Sequence, residues 1–286
     1  MIASSNIFKR RNIFVYAVKD KYFITLLVIF IVLVIVGAIG PFFVRSPTKV
    51  AGARLMPPCR EFILGTDALG RDVFAQIIHG VRNSVLVGLF AGVIGIAIAI
   101  TLGILSGFLR GLVGDILATI INIFLLIPQI PLLLLIACAI RIRSMYLVAS
   151  LIGGLFAWPA PARAIRALAL ALREREFIDL ARISGKSSIE IAFKEIAPII
   201  LPYIFLQFGT VYASAIFMET SISLIGLGPT DVVTLGWVLN QVLVMNAYVV
   251  GAWWWFIPPG VMVSLLVLSL YLMPLVLSRR LQQLGI

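Results

Sequence analysis

Six apolar runs constrain this chain more than any other feature. They cover residues 22–44, 84–109, about 115–140, 145–161, 203–227 and 251–277. The hydrocarbon core of a bilayer is about 30 Å thick, and a helix needs about 20 residues to cross it. Inside it every backbone polar group must find its partner within the protein, which favours helices. The chain is 62% hydrophobic and 12% charged, where a soluble domain is about 45–50% apolar and about 25% charged. The reading is an all-α, multi-pass membrane protein with six transmembrane helices. Residues 1–83 form an anchor helix (about 22–44) followed by an extramembrane segment with an interface-lying helix. Residues 84–286 form a five-helix domain interrupted by a polar loop at about 173–202.

Basic residues set the orientation of such a protein. If both ends share one side, fifteen of the 23 Lys and Arg fall on that side and eight on the other. The bias places both termini, and the loop at 173–202, in the cytoplasm. The net charge of +11 therefore reads as an orientation signal. No aromatic-basic platform or nucleic-acid motif accompanies it. Cys59 and Cys138 are far apart, and His79 is the one histidine, so no disulfide framework or metal site is expected.

The stretch 173–202 cannot lie in hydrocarbon. Arg173, Glu174, Arg175, Glu176, Asp179, Arg182 and Lys186 are followed by Glu190, Lys194 and Glu195, and each charge at a bilayer centre costs about 2.5–3.5 kcal/mol on insertion scales. Phe177, Leu180, Ala181 and Ser184 fall at helical spacing, as do Ile189, Ala192, Phe193 and Ile196. Gly185 stands between the two runs, where one helix ends and the chain turns. The expectation is helix, turn, helix, then Pro198 and Pro202 ahead of the next span. Gly185-Lys186-Ser187 is also the ending of a phosphate-binding loop, but Leu180 stands where that loop needs glycine, and no strand precedes it.

This stretch resembles the cytoplasmic coupling loop of ABC importer permeases. The family pattern is Glu-Ala-Ala, three residues, Gly, nine residues, then Ile-x-Leu-Pro. Asp179, Leu180 and Ala181 occupy the first three places, Gly185 the fourth, and Glu195, Ile196, Ala197 and Pro198 the last. Ala181, Gly185 and Pro198 match; Leu180, Glu195 and Ala197 depart. A second string, Gly65-Thr66-Asp67-Ala68-Leu69-Gly70-Arg71-Asp72, resembles the peptide/nickel branch of the same family. Physically it is a glycine-bounded turn, with Thr66 and Asp67 as its caps. An amphipathic helix with Val73, Phe74, Ile77, Ile78 and Val81 on one face comes next, resting on the interface or packing across the bundle.

Three residues are candidates for lining a translocation path. Asn122 lies in the third run, and Gln129 lies in its interruption Ile127-Pro128-Gln129-Ile130-Pro131, where two prolines imply a kink or an unwound turn. Glu219 is a carboxylate in the fifth run. Such a group faces a bundle interior or a water path, either holding helices by hydrogen bonds or meeting substrate. The string from Glu219 to Gly228 is also similar to the end of the family's fifth span. Trp253, Trp254 and Trp255 open the last run as an interface belt.

The resemblance implies a type I ABC importer permease fold and a pore-forming subunit in the cell membrane. Asp179, Ala181, Gly185, Lys186, Ser187 and Pro198 belong to its ATPase-coupling loop. Implied partners are a second related permease, two ATPase subunits and an extracytoplasmic binding protein. ATP and Mg are used by the ATPases, with no cofactor on this chain. The implied cargo is di- or oligopeptide, with oligosaccharide or nickel as alternatives. An ATP-independent secondary transporter or channel is the alternative of another class. No HExxH, GxSxG or paired-carboxylate arrangement supports an enzyme.

Overall fold

The structure, a computed structural model, describes residues 20–140 and 144–283. The basic residues expected before the first span, Lys21 excepted, and Arg141 and Arg143, lie outside the described residues. Among the described residues every regular element is helical. The helices are α1 Lys21–Ile39, α2 Val73–Phe108, α3 Leu112–Leu126, α4 Gln129–Ile140, α5 Met145–Leu151, α6 Pro159–Arg173, α7 Glu176–Ile183, α8 Ser188–Ile191, α9 Ala197–Leu224, α10 Leu235–Val244 and α11 Trp253–Gln283. Four helical stretches are long and apolar enough to cross a membrane by themselves: 21–42, 73–108, 188–224 and 253–279. Counting each of the two bent pairs, α3–α4 and α5–α6, as one span raises the number to as many as six.

The bends arise from proline. Ile127 precedes Pro128, whose ring pushes it out of the helical region; Ile127 is extended (ψ 126°), and α4 leaves α3 at 82°. The expected kink is therefore a full break. Pro159 opens α6 after a π-helical turn, Ile152–Phe156, and the bend there is 42°. The helix of α6 then runs on through Arg163 and Arg166 to Arg173, burying Pro161, Ala162, Ile165 and Ala169 on one face.

The organising element is α2. Its 36 residues make a rod of about 54 Å, well beyond the hydrocarbon thickness. The boundary expected at 83/84 falls inside it. The amphipathic stretch expected to rest on the interface or to pack across the bundle forms its first turns and packs inward, with Val73, Ile77, Ile78 and Val81 buried. Asp72 caps the helix, accepting from the Phe74 and Ala75 amides at 2.9 and 3.3 Å. Two glycines set how closely its neighbours approach. A Cβ on Gly88 would stand 2.4 Å from the Tyr212 ring of α9, and one on Gly103 would stand 2.7 Å from the Ala162 carbonyl of α6.

The core is divided along the bundle axis. One cluster holds Ile104 and Phe108 of α2, Ile165 of α6, Ile178 of α7, and Ile191 and Ile196. Another, around the start of α2, holds Val73, Ile77, Leu235, Val238 and Trp255. These mark two opposite ends, the Gly185 end and the 45–72 end. Trp255 is fully buried, Trp254 donates its indole N–H to the Thr66 carbonyl, and only Trp253 is exposed. The three tryptophans are thus not a single belt.

Candidate functional site

At the Gly185 end the chain makes a two-helix corner. The Gly185 amide donates to the Arg182 carbonyl at 3.0 Å and the Lys186 amide to the Ala181 carbonyl at 3.2 Å. This pair of bonds is a Schellman motif, which requires a left-handed residue at its second-to-last place. Gly185 supplies it, with φ +78°. Ser187 then caps α8, accepting from the Glu190 amide at 3.2 Å. Asp179 accepts from Arg182 Nη1 at 2.9 Å, and Lys186 donates to Glu195. Lys186 holds its proton above the usual lysine range because of that bond and the Glu195 charge. Pro198 is exposed in the first turn of α9, and Pro202 lies inside the same helix. The prolines thus fall within the following helix, not ahead of it. A π-helical turn, Ala192–Ile196, just precedes Pro198 and joins α8 to α9 without interruption.

Burial on the corner follows the sequence spacing at Ala181, Ala192 and Ile196 and departs from it at Leu180 and Ile189. The inward face is Ile178 and Ala181 on α7, then Ile191, Ala192 and Ile196. Leu180, Ile183 and Ile189, at 65, 83 and 63% exposure, instead stand outward around the Gly185 turn. They are ringed by Asp179, Arg182, Lys186 and Glu190. An apolar patch with a charged rim is the usual form of a protein docking surface.

The opposite end of α9 is closed and polar. Glu219 is fully buried. Its Oε1 accepts from the Ser223 hydroxyl at 2.6 Å and from the Thr234 hydroxyl at 2.7 Å. Thr234 in turn caps α10, accepting from the Trp237 amide at 3.1 Å. Ser84 accepts from the Leu235 amide at 3.1 Å, while Glu219 Oε2 and the Thr220 hydroxyl are buried without a hydrogen-bond partner. Glu219 therefore ties α9 to the start of α10, with α2 alongside. Thr234, Ser84 and Ser223 are not distinguishable in the sequence from other hydroxyl residues. Only the chain's return at 228–234 brings them together.

The Gly-Thr-Asp string grips the same α10 from another side. Buried Asp67 accepts from the Leu69 and Arg71 amides, from Arg71 Nε at 2.5 Å and from Gln76 Nε2 at 2.7 Å. Arg71 also stacks on Trp237, 5.2 Å from the ring centroid, and donates to Gln241 Oε1 at 3.4 Å. Thr66 accepts from the Met56 amide and donates to the Ala53 carbonyl. Thr66 and Asp67 thus hold the loop itself, and the cap of α2 is Asp72. Beside this contact a pocket of about 210 Å3 opens, lined in part by Ser223, Thr230, Trp237 and Asn240.

Asn122 is exposed on α3, and Gln129 sits at the α3–α4 break with its Nε2 donating to the Phe156 carbonyl at 3.3 Å. No hydrogen bond joins either to Glu219 among the described residues. Among the same residues no group of three His, Cys, Asp or Glu could hold a metal ion.

Residues 99–283 match the family model described as binding-protein-dependent transport system inner membrane component. The chain is 30% identical to the di/tripeptide transport system permease protein DppC of Pseudomonas aeruginosa, over 81% of this chain and 74% of that one. It is 31% identical to the oligopeptide transport system permease protein OppC of Mycobacterium tuberculosis, over 63 and 62% of the two. It is 27% identical to the dipeptide transport system permease protein DppC of Bacillus subtilis, over 86 and 77%.

Proposed function

The chain belongs to the family of binding-protein-dependent transport system inner membrane components, and from that membership we propose that it is one permease subunit of an ATP-driven importer of di- and oligopeptides. It is a multi-pass membrane protein. The peptide transport names of its relatives support the cargo. The observation that carries the mechanism is the corner at Gly185. The Gly185 turn leaves Leu180, Ile183 and Ile189 exposed among charged side chains, an arrangement suited to a partner protein.

In this reading the exposed corner docks in an ATPase subunit, with Asp179, Ala181, Gly185, Lys186, Ser187 and Pro198 shaping it. Both termini lie in the cytoplasm with it, as the basic residues favour. ATP and Mg are used by two ATPase subunits, and this chain binds neither. A second, related permease completes the pathway, and an extracytoplasmic binding protein delivers the peptide. Closure of the ATPases shifts the corner. The continuous helix 188–224, about 55 Å long at 1.5 Å per residue, carries that shift to the other side of the membrane. The bundle then alternates between inward- and outward-facing states, a two-state element biased by ATP. Asn122 and Gln129 border the path shared with the second permease, while Glu219 lies behind its wall.

The test is co-purification with uptake. The chain, isolated from native membranes, is expected to bring ATPase subunits and to support ATP-dependent uptake of labelled dipeptides. Ile183→Asp is expected to lose the ATPases while the chain still inserts. Isolation of the chain alone, or full uptake by Ile183→Asp, overturns the reading.

A further inference from the structure

We infer that Arg163 and Arg166 of α6 hold the phosphate of an anionic phospholipid at the membrane edge nearest the Gly185 corner, an inference that rests on the importer reading only in making that edge the cytoplasmic leaflet. The two arginines stand three residues apart on a helix, so their side chains are neighbours on its surface. Arg163 is exposed and Arg166 half-buried. The Arg166 Nε is enclosed, yet it has no hydrogen-bond partner. The acids of this end are engaged elsewhere among the described residues: Glu174 by Arg110 and Arg173, Asp179 by Arg182, Glu190 by Lys194 and Glu195 by Lys186. Asp115 and Glu176, both exposed, form an ion pair with neither arginine. A buried donor without an acceptor is rare and calls for an explanation. For a guanidinium the matching acceptor is an oxyanion, carboxylate or phosphate, and here the chain supplies none.

The height of the pair points to phosphate. α2 ends at Phe108 and α3 begins at Leu112. Leu109, Arg110 and Gly111 between them make a short turn joining two apolar helices, and Arg110 pairs there with Glu174, both side chains exposed. Exposed Leu112 and Val113 follow at once, so the turn lies at the headgroups, where charge can stay wet while the apolar chain returns to hydrocarbon. Gly107, one residue before the end of α2, packs against Arg166: an added Cβ would stand 2.6 Å from the Arg166 carbonyl. Arg166 is therefore level with the last turn of α2, and Arg163 lies about 4.5 Å deeper at 1.5 Å per residue. That is the edge of the hydrocarbon, where a bare charge is costly and where basic sites on the cytoplasmic side take lipid headgroups. A zwitterionic headgroup brings its own cation beside its phosphate. Two arginines without acids therefore favour a headgroup of net negative charge.

The experiment reconstitutes the intact importer in nanodiscs of phosphatidylcholine mixed with phosphatidylglycerol and reads retained lipid by native mass spectrometry. The parent is expected to retain phosphatidylglycerol in preference. Arg166→Gln is expected to lower that preference about fivefold, the usual scale for one basic residue beside anionic lipid. Arg175→Gln, which removes an exposed charge from the same end, is expected to leave it unchanged. Equal retention by parent, Arg166→Gln and Arg175→Gln would reduce the pair to orientation charges and overturn the inference. Arg163→Gln, at an exposed position, repeats the test should Arg166→Gln fail to assemble, and co-purification of the ATPases reads assembly. Inorganic phosphate is the second probe. If it raises the melting temperature of the detergent-solubilised importer as much as phosphatidylglycerol does, and Arg166→Gln abolishes both effects, the site takes a free anion and the lipid assignment falls. Cargo is the third. A raised KM for dipeptide uptake by Arg166→Gln in phosphatidylcholine vesicles, with phosphatidylglycerol retention unchanged, would turn the pair toward the path and sink the proposal. Uptake that does not depend on ATP overturns the importer reading instead and leaves the lipid result standing.

Discussion

At the Gly185 end of α9 three large aliphatic side chains stand in solvent, whereas at the Leu224 end a carboxylate is wholly enclosed. The corner is held by the backbone bonds around Gly185 and by the Ser184 and Ser187 hydroxyls on either side of it, and its surrounding ion pairs are partly or fully exposed. The far end is held by side chains: Glu219, Ser223 and Thr234 in one knot, Asp67, Arg71 and Gln76 in the other. In the proposed function the corner is a surface offered to a partner, with apolar area free and its shape fixed largely by the main chain. The far end is a closed junction, whose buried polar groups are held in specific geometry, since an unmatched buried polar group is costly.

The sharpest way to break this contrast is at Asp67. Asp67→Ala strands the Arg71 guanidinium in a buried site, and loss of one partner from a buried pair costs about 3–5 kcal/mol. The melting temperature of the purified complex should fall steeply, and Asp67→Asn should recover part of it. An unchanged melting temperature would mean that the loop carries none of the molecule's stability. Glu219→Ala comes next. It leaves the Ser223 and Thr234 hydroxyls without their acceptor, at about 1–3 kcal/mol for each buried group left unpaired. Glu219→Gln keeps an acceptor and should melt close to the parent.

Gly185→Val has a smaller effect on stability and a larger one on function. Nothing lies within 4 Å of the added Cβ, so the cost is the left-handed backbone, about 1–2 kcal/mol. Uptake should drop while ATP hydrolysis persists, and Gly185→Asn, which tolerates that backbone, should restore uptake. Full uptake by Gly185→Val would remove the lever role from the corner.

The smallest effect belongs to the exposed ion pairs. Arg173, and then Arg110, hold the Glu174 carboxyl below its usual range, so its contribution is present above the unfolded value and is lost as pH falls through the depressed one. Lys186 is raised by Glu195, so its contribution is present below the unfolded value and is lost as pH rises through the raised one. Neither window reaches neutral pH. Melting should therefore be flat from about pH 6 to pH 9 as far as these groups are concerned. It should also be nearly unchanged by about 0.5 M salt, because exposed pairs contribute little. A marked salt effect would show that the corner depends on its charges.

Apolar run length determined the membrane class, and glycine chemistry determined the corner. Both are local: in hydrocarbon the backbone must satisfy its own hydrogen bonds, as a long apolar helix does, and a Schellman turn demands a left-handed residue wherever it occurs. The sequence also marked Glu219 as unusual, because a carboxylate in an apolar run is costly under any fold. It misjudged the features that depend on distant partners. The stretch 73–83 looked like a short separate helix, on the interface or packed across the bundle, because its apolar stripe is real. Gln76 of its polar face is buried too, on Asp67, and only the folded loop 45–72 supplies that partner. Leu180 read as a helix-face residue by spacing together with Ala181, yet the core takes Ile178 beside Ala181 and leaves Leu180 out, since the angle at which α7 meets Phe108 and Ile165 decides which side faces in. That Asp67, Arg71, Glu219 and Thr234 all converge on one short helix was left to tertiary structure, because hydrogen bonds between residues up to 170 positions apart leave no periodic trace in a chain.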